Sequence, residues 1–315
     1  MALTYDQIDS ITTKTYIPKL VDNVFDTNAA LKRFNRPGYK KVKTGGTSIM
    51  APVIADSSTT GGWYQGLDTL DISATSNMTS AEFQWKQFYE AILISRADLL
   101  KNSGDAQKLS LIESKMKIAE ASIQAKMETG IFSAGTESGG DIITGLQALM
   151  STSTTYGGIA VADMSSWVAV VKDNSSTNRA LTLPLMQQAV GAATYGSMKP
   201  TVAYMNQEVY DQVWALYQPH QRLMSAEMSK LGFNNVLEFN GIPCLVTSYC
   251  PANTIYFVDE ENVNLCAHRD EDMRKSKLSD LETSNAMLTK IFWMGNLICH
   301  SRRTNASLTD ISVAS

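Results

Sequence analysis

Residues 105–130 read DAQKLSLIESKMKIAEASIQAKMETG and predict one long amphipathic helix. Ser103 and Asp105 suit its N-terminal end, and Gly130 suits a left-handed stop. At 1.5 Å per residue the helix would run about 38 Å. Its apolar residues recur every three or four positions, which places them on one face: Leu109, Ile112, Met116, Ala119, Ile123 and Met127. The opposite face is charged: Lys108, Glu113, Lys115, Lys117, Glu120, Lys126 and Glu128.

The composition is that of an acidic globular protein with a large core. The chain has 315 residues, 44% of them hydrophobic, and its length suggests about two domains. A net charge of −4 argues against affinity for nucleic acid through phosphate neutralisation. We see no secretion signal and expect no membrane span, because no run approaches eighteen consecutive apolar residues. The cysteines lack metal-ligand spacing, so we expect reduced, buried thiols: Cys244, Cys250, Cys266 and Cys299.

Before the long helix, the sequence predicts a short arm and a β-rich excursion. In the arm, Leu20, Val24 and Phe25 lie on one helical face, and a second short helix carries Leu31 and Phe34. An arm this small has no core of its own, so we expect it to lean on another surface. Residues 39–95 alternate apolar and polar side chains, as paired strands do, around the small, polar stretch 56–66.

Two glycines and two aromatic residues stand at the predicted hairpin tip: Gly61, Gly62, Trp63 and Tyr64. One interpretation is an aromatic pair folded back on its own hairpin. The other is an exposed anchor for a partner surface, since Trp and Tyr dominate interface energies. We favour the anchor, because a long two-stranded hairpin is only marginally stable alone.

After the long helix, the pattern changes to an α/β unit and then to closing strands. We predict helices that start at Asp163, with Trp167, Val168 and Val171 on one side, at Thr182 and at Asn206. We predict strands at 201–205, 242–247, 255–258 and 287–299, and we interpret the charged stretch 269–282 as a solvated loop.

The motif search yields no catalytic, cofactor-binding or metal-binding residues. No GxGxxG follows a strand, and neither GxxxxGK[ST] nor HExxH occurs. The histidines have no obvious nucleophile motif nearby: His220, His268 and His300. A soluble α/β hydrolase or ligand-binding protein remains an alternative of a different class, and it would need a pocket with converging polar groups.

The order of parts resembles the major capsid protein of tailed bacteriophages, which has the Hong Kong 97-type fold. Three stretches carry the resemblance: the helix at 105–130, NGIPCLVTSYCPANTIYFVD at 240–259, and 288–311, which contains FWMGNLICHSRRTNASLTDI. It implies an α+β fold in five segments. These are an N-terminal arm (1–38), an E-loop β-hairpin (39–95), a P-domain with a spine helix (96–145), an α/β A-domain (146–282) and returning P-domain strands (283–315).

The resemblance implies a structural role and not an enzyme. Copies would assemble into pentamers and hexamers of an icosahedral shell that encloses double-stranded DNA without sequence-specific binding. Further partners would be scaffolding, portal and decoration proteins, with no membrane and no cofactor, in a virion capsid made in the host cytoplasm. An encapsulin-like nanocompartment shell shares this fold and stays open. The predicted inter-subunit contacts are Gly61, Gly62, Trp63 and Tyr64 in the hairpin and Leu20, Val24 and Phe25 in the arm.

Overall fold

The computed structural model describes residues 28–55, 62–67, 69, 77–101, 111–218, 237–277, 279–281 and 285–312. The helices are α1 (Ala29–Phe34), α2 (Arg96–Lys101), α3 (Leu111–Phe132), α4 (Leu146–Leu149), α5 (Leu183–Ala193) and α6 (Gln207–Tyr217). The strands are β1 (Lys40–Lys43), β2 (Ser48–Ile54), β3 (Met78–Gln84), β4 (Lys86–Ser95), β5 (Val170–Lys172), β6 (Val202–Met205), β7 (Glu238–Phe239), β8 (Ile242–Val246), β9 (Ile255–Val258), β10 (Val263–His268), β11 (Arg274–Lys275), β12 (Ser279–Asp280), β13 (Ala286–Cys299) and β14 (Ala306–Leu308).

The long helix α3 confirms the central prediction over the residues that the structure describes. Its stripe is buried or half-buried from Met116 through Ala119, Ile123 and Met127 to Ile131. Residues 102–110, with the predicted caps Ser103 and Asp105, lie outside the described residues. The helix ends at Phe132.

Two details of the predicted helix are wrong. Gly130 does not stop it, because Gly130 lies in the last turn and packs against Ile143. Its carbonyl also closely approaches Gly145, so this glycine allows tight packing and does not serve as a cap. Glu128, which we placed on the charged solvent face, is fully buried. Its partners lie almost a hundred residues earlier in the chain, beyond the reach of helical periodicity.

A first six-stranded sheet packs against α3. The 14-residue strand β13 is its centre and runs antiparallel to β4 and to β10, β11 and β12. Strand β1 extends the sheet in parallel to β10. Ile92 and Ile94 of β4 lie in the same buried cluster as Ile123 of the helix. Lys126 and Glu90 form an ion pair at 2.8 Å between these two elements.

A second six-stranded sheet, in the order β5-β14-β9-β6-β8-β7, is covered on both faces. Val202 and Tyr204 of β6 face the core shared with α3, whereas Ala203 and Met205 belong to a second core formed with α5 and α6. Burial on both faces explains why these strands are continuous apolar runs. The predicted caps are confirmed: Thr182 accepts from the N–H of Leu185, and Asn206 accepts from Glu208 and Val209.

The helix predicted to start at Asp163 is not formed. Residues 161–167 are turns, and Val170–Lys172 is strand β5, which pairs in parallel with β14. Trp167 is buried, and its indole N–H donates to the carbonyl of Tyr156 at 3.0 Å. Pairing with a strand more than 130 residues later therefore overrides the local helical spacing.

The hairpin consists of β2 and β3, which pair from Ser48↔Gln84 to Ile54↔Met78. It lies within the predicted segment 39–95, whose outer parts β1 and β4 belong to the first sheet. The hairpin does not stand alone, because one of its faces packs on the body of the protein. That face is buried in the protein's own core and comprises Ile49, Ala51, Val53, Ala81 and Phe83. Alternation along the strands leaves the other face in solvent.

The remaining segments are also divided between the sheets. Strand β10, within the predicted segment 146–282, pairs in the first sheet, and β14, within 283–315, pairs in the second. In the arm, Leu31 and Phe34 are buried against the protein's own core, so this part of the arm does not need a neighbour. The predicted arm contacts Leu20, Val24 and Phe25 lie outside the described residues.

Candidate assembly surface

The tip of the hairpin is the most exposed apolar feature among the described residues. Trp63 and Leu67 are fully exposed, and the exposed fraction of Tyr64 is 66%. Gly66 nearby has a φ of +61°, a left-handed turn conformation that glycine adopts without strain. The structure therefore describes three of the four predicted tip residues, Gly62, Trp63 and Tyr64, as solvent-exposed, and Gly61 lies outside the described residues.

The exposed apolar surface continues down the outer face of the hairpin. Met50, Ile54 and Met78 are more than half exposed, and they stand on the face opposite the buried alanines and Phe83. Soluble monomers rarely expose a contiguous apolar patch of this kind, which is typical of an interaction site.

The root of the hairpin is firmly fixed to the protein. The N–H of Glu82 donates to the carbonyl of Gly157 at 2.8 Å, and the ring of Phe83 packs edge-on against Tyr156 at 5.2 Å between centroids. Asn296 of β13 donates to the carbonyl of Gln84 and accepts from the N–H of Thr144, both at 2.9 Å. The exposed tip is therefore presented by a rigid base.

A groove of about 630 Å³ lies between the tip end of strand β2, residues 52–55, and the loops beside the second sheet. Ile54, Met164, Trp167 and Met198 contribute apolar walls. No carboxylate or thiol is among the described residues that line it. Arg303 is exposed at its rim, with the guanidinium carbon 4.2 Å from the centroid of the Tyr195 ring.

Two further basic residues line the groove, Arg302 and His300. Arg302 is fully buried and donates to the carbonyls of Leu149, Trp167 and Ser151, so it holds three loop positions together. Burial lowers the pKa of His300, and the nearby Lys41 lowers it further.

The root of the arm is held by two buried carboxylates that sequence reasoning missed. Glu128 accepts from the N–H groups of Ala30 and Leu31 at 2.9 and 2.7 Å, and it also accepts from the hydroxyl of Thr247. These N–H groups begin α1 and have no partner within the helix, so the carboxylate caps it. Burial raises the pKa of Glu128, and the two backbone hydrogen bonds offset only part of that effect.

Glu260 is the second carboxylate. It forms a bidentate ion pair with Arg33, with distances of 2.7 and 2.5 Å, and accepts from the hydroxyl of Tyr204 at 3.0 Å. This hydrogen bond raises the pKa of Arg33. Glu260 lies in the turn that follows strand β9. No sequence motif marks Glu260 as a partner of Arg33, because 227 positions separate them.

The four cysteine thiols lie in the protein interior. All four cysteines are free and buried, as predicted: Cys244, Cys250, Cys266 and Cys299. Burial raises the pKa of Cys244 and of Cys299 to about 12. Within the described residues, no group of three or more His, Cys, Asp or Glu side chains could hold a metal ion. No helix in the described part of the chain is long and apolar enough to cross a membrane.

Comparison with solved structures gives full-length similarity to phage capsids. The chain is similar to the capsid asymmetric unit of Cyanophage A-1(L), with a TM-score of 0.74 and 15% identity over 98% of this chain and 99% of that chain. It is also similar to the capsid of the native GTA particle, with a TM-score of 0.66 and 16% identity over 95% of each chain.

The chain has a phage-capsid fold. This fold confirms the resemblance drawn from the order of the sequence segments. The similarity extends to the holo-SrpI encapsulin complex from Synechococcus elongatus PCC 7942, with a TM-score of 0.64 and 9% identity over 100% of this chain and 98% of that chain. No protein-family model and no curated protein matches the sequence, so the phage-capsid fold rests on structure and not on sequence similarity.

Proposed function

We propose that this protein is the major capsid protein of a tailed bacteriophage and acts as a structural subunit, not as an enzyme. Copies assemble into pentamers and hexamers, and these form an icosahedral shell around double-stranded DNA. The observation that carries the proposal is the phage-capsid fold over the whole length of the chain, at a TM-score of 0.74. The shell is the virion capsid, and the subunit is made in the host cytoplasm.

The parts of the Hong Kong 97-type fold are assigned as follows. The hairpin β2–β3 is the E-loop, α3 is the spine helix, the first sheet belongs to the P-domain, and the second sheet with α5 and α6 is the A-domain. Gly61, Gly62, Trp63 and Tyr64 contact a neighbouring subunit. Leu20, Val24 and Phe25 do the same from the arm.

The exposed surface of the subunit supports self-association. Trp63 and Leu67 are fully in solvent, and aromatic side chains of this kind lose large accessible areas when they bind. Permanent assemblies bury about 2,000–5,000 Å² per interface, and their interfaces are more hydrophobic than transient ones. Scaffolding, portal and decoration proteins are the further partners of such a shell.

The net charge of −4 is consistent with a shell that encloses DNA without binding it tightly. Binding through phosphate neutralisation requires clustered lysine and arginine, and its strength rises with the number of phosphates contacted. We therefore propose that the packaged DNA is enclosed without sequence-specific binding.

Electron microscopy and light scattering of the purified full-length chain test this function. We expect closed particles of megadalton mass with icosahedral symmetry. A monodisperse 34.5 kDa species at all concentrations would overturn the proposal, and binding of a small molecule by that monomer would favour the pocket alternative.

The encapsulin-like shell is a second candidate, because the holo-SrpI encapsulin complex has a similar fold over the full chain. Both functions predict particles, so particle formation does not separate them. The contents do: nuclease-protected DNA in particles from an infected or induced host supports the phage capsid, whereas an enclosed protein without DNA supports the nanocompartment.

A further inference from the structure

The groove beside the tip end of β2 has the properties of a binding surface and not of a catalytic pocket. It combines apolar walls from Ile54, Met164 and Met198 with the exposed guanidinium of Arg303, and it lacks carboxylates and thiols among its described lining residues. General-base chemistry would depend on His300, which has no acidic partner among the residues that line the groove. The volume of about 630 Å³ suits one or two large side chains.

Arg303 gives the groove a preference for acidic partners. Its guanidinium stacks on Tyr195 and is exposed, and no described carboxylate forms an ion pair with it. An arginine that is held by an aromatic ring keeps its donors pre-organised for a partner's oxygen atoms. Arg302 lies beside it, but its donors are already bound to three backbone carbonyls.

The hairpin tip carries the complementary properties. The sequence between the two hairpin strands, 55–77, contains three aspartates and no lysine or arginine. Within it, Trp63, Tyr64 and Leu67 are exposed. The tip thus combines large apolar side chains with a net negative charge, and the groove combines apolar walls with a positive charge.

We propose that the groove receives the hairpin tip of a second copy of this chain, with Trp63 and Tyr64 entering between Ile54 and Met198. The tip does not fill the groove of its own chain, because Trp63 is fully exposed in the single subunit. The proposal rests on the proposed self-assembly and adds the receiving surface.

The contact has a consequence for the geometry of assembly. Tip and groove are different surfaces of one chain, so the contact is head-to-tail and not two-fold symmetric. Each bound copy leaves one free groove and one free tip, and repeated contacts close into a ring when the rotation between copies permits. Pentamers and hexamers are rings of this type.

Disulfide trapping between separately labelled copies tests the contact. One set of copies carries Tyr64→Cys and the other carries Met198→Cys, and the two are mixed during assembly and oxidised with diamide. The native thiols are buried, so they contribute little background. We expect a cross-linked dimer in the mixture and none in either set alone. The matched control replaces Met198→Cys with Ile118→Cys on α3, which is also exposed and lies outside the groove.

A charge reversal provides a second measurement. We expect Arg303→Glu to raise the protein concentration at which particles form by roughly tenfold or more, and Arg303→Lys to raise it less, because lysine keeps the charge but not the planar stacking. Circular dichroism checks that both variants fold.

The outcomes separate the two proposals. Particles that form without a Tyr64–Met198 cross-link, or with equal cross-linking to Ile118, overturn the groove contact and leave the capsid function standing. A disulfide within one chain that carries both Tyr64→Cys and Met198→Cys, without a mixed dimer, overturns it in favour of the chain's own tip. An unchanged threshold for Arg303→Glu also overturns it. A wild-type chain that stays monomeric overturns both proposals.

Discussion

The carboxylate of Glu128 caps the backbone N–H of Leu31, with 2.7 Å between Oε2 and the nitrogen. One residue stands in the long helix and the other in the short helix that ends the arm. The contact therefore fixes the position at which the arm joins the body of the protein.

Replacing Glu128 with Gln is expected to destabilise the subunit by about 1–3 kcal/mol at low pH, because an amide nitrogen cannot accept from a buried N–H group, whereas the hydroxyl oxygen of a protonated carboxyl can. The raised pKa of Glu128 means that its protonated form is favoured in the fold. The stability linked to that proton is fully present below the ordinary value of 4.5 and is lost as pH rises through the higher folded value. The gap between wild type and variant should therefore shrink as pH rises.

Urea denaturation of the full-length chain at a series of pH values measures this gap. Glu120→Gln on the same helix is the control, because Glu120 is partly exposed and its ion pair with Lys275 lies at the surface. A gap that is independent of pH would contradict the titration of Glu128.

Removing Arg33 should be costly, because its partner Glu260 is completely buried. We expect Arg33→Met to destabilise the subunit by about 3–5 kcal/mol, since it leaves an uncompensated charge in the core. The double variant Arg33→Met/Glu260→Gln should recover part of that loss. Chemical denaturation provides the free energies, with Arg36→Met as an exposed control that changes stability by about 0.5 kcal/mol or less. Equal effects of Arg33→Met and Arg36→Met would show that the buried pair contributes nothing.

Replacing Trp63 and Tyr64 with alanine should impair assembly and leave folding intact. Both side chains are exposed, so the melting temperature of the unassembled subunit should change little, while the yield of particles falls roughly tenfold or more. The contrasting variant is Phe83→Ala in the buried face of the same hairpin, which should lower subunit stability by about 3–5 kcal/mol. Normal particle yield from the double variant would refute the role of the tip.

Two glycines with opposite surroundings give a matched test of the packing. A Cβ at Gly145 would collide with the carbonyl oxygens of Gly130 and Ile131, whereas one at Gly191 in α5 would meet no atom within 4 Å. We expect Gly145→Ala to destabilise the subunit by about 1–3 kcal/mol and Gly191→Ala to stabilise it by about 0.5–1 kcal/mol. Thermal unfolding measures both. Equal shifts in the same direction would contradict the close contact between α3 and the start of α4.

The sequence predicts those parts of the fold that depend on local patterns. Asn206 caps helix α6, as predicted, because its side chain accepts from N–H groups within the next three residues. The tip residues Trp63 and Tyr64 are also recognisable locally, because they are two large aromatic residues that follow two glycines within a small, polar stretch.

The sequence does not predict features that depend on distant partners. Strand β5 has a helix-like spacing, and only its pairing with β14 fixes it as a strand. Glu128 carries the same charge as its exposed neighbours, and its burial follows from α1 docking on α3. The groove is assembled from five separate stretches of the chain, so no local signal marks it.

Both legs of the hairpin are rooted in the first sheet. Strand β1 leads into one leg through four residues, and Trp85 alone separates the other leg from β4. These two roots lie on opposite sides of β10 and β13. The twist of that sheet therefore sets the direction in which the two hairpin strands leave the body of the protein. In the proposed contact between the tip and the groove of a second copy, a longer or shorter loop between Ile54 and Met78 would change the distance between subunit centres and hence the curvature of the shell.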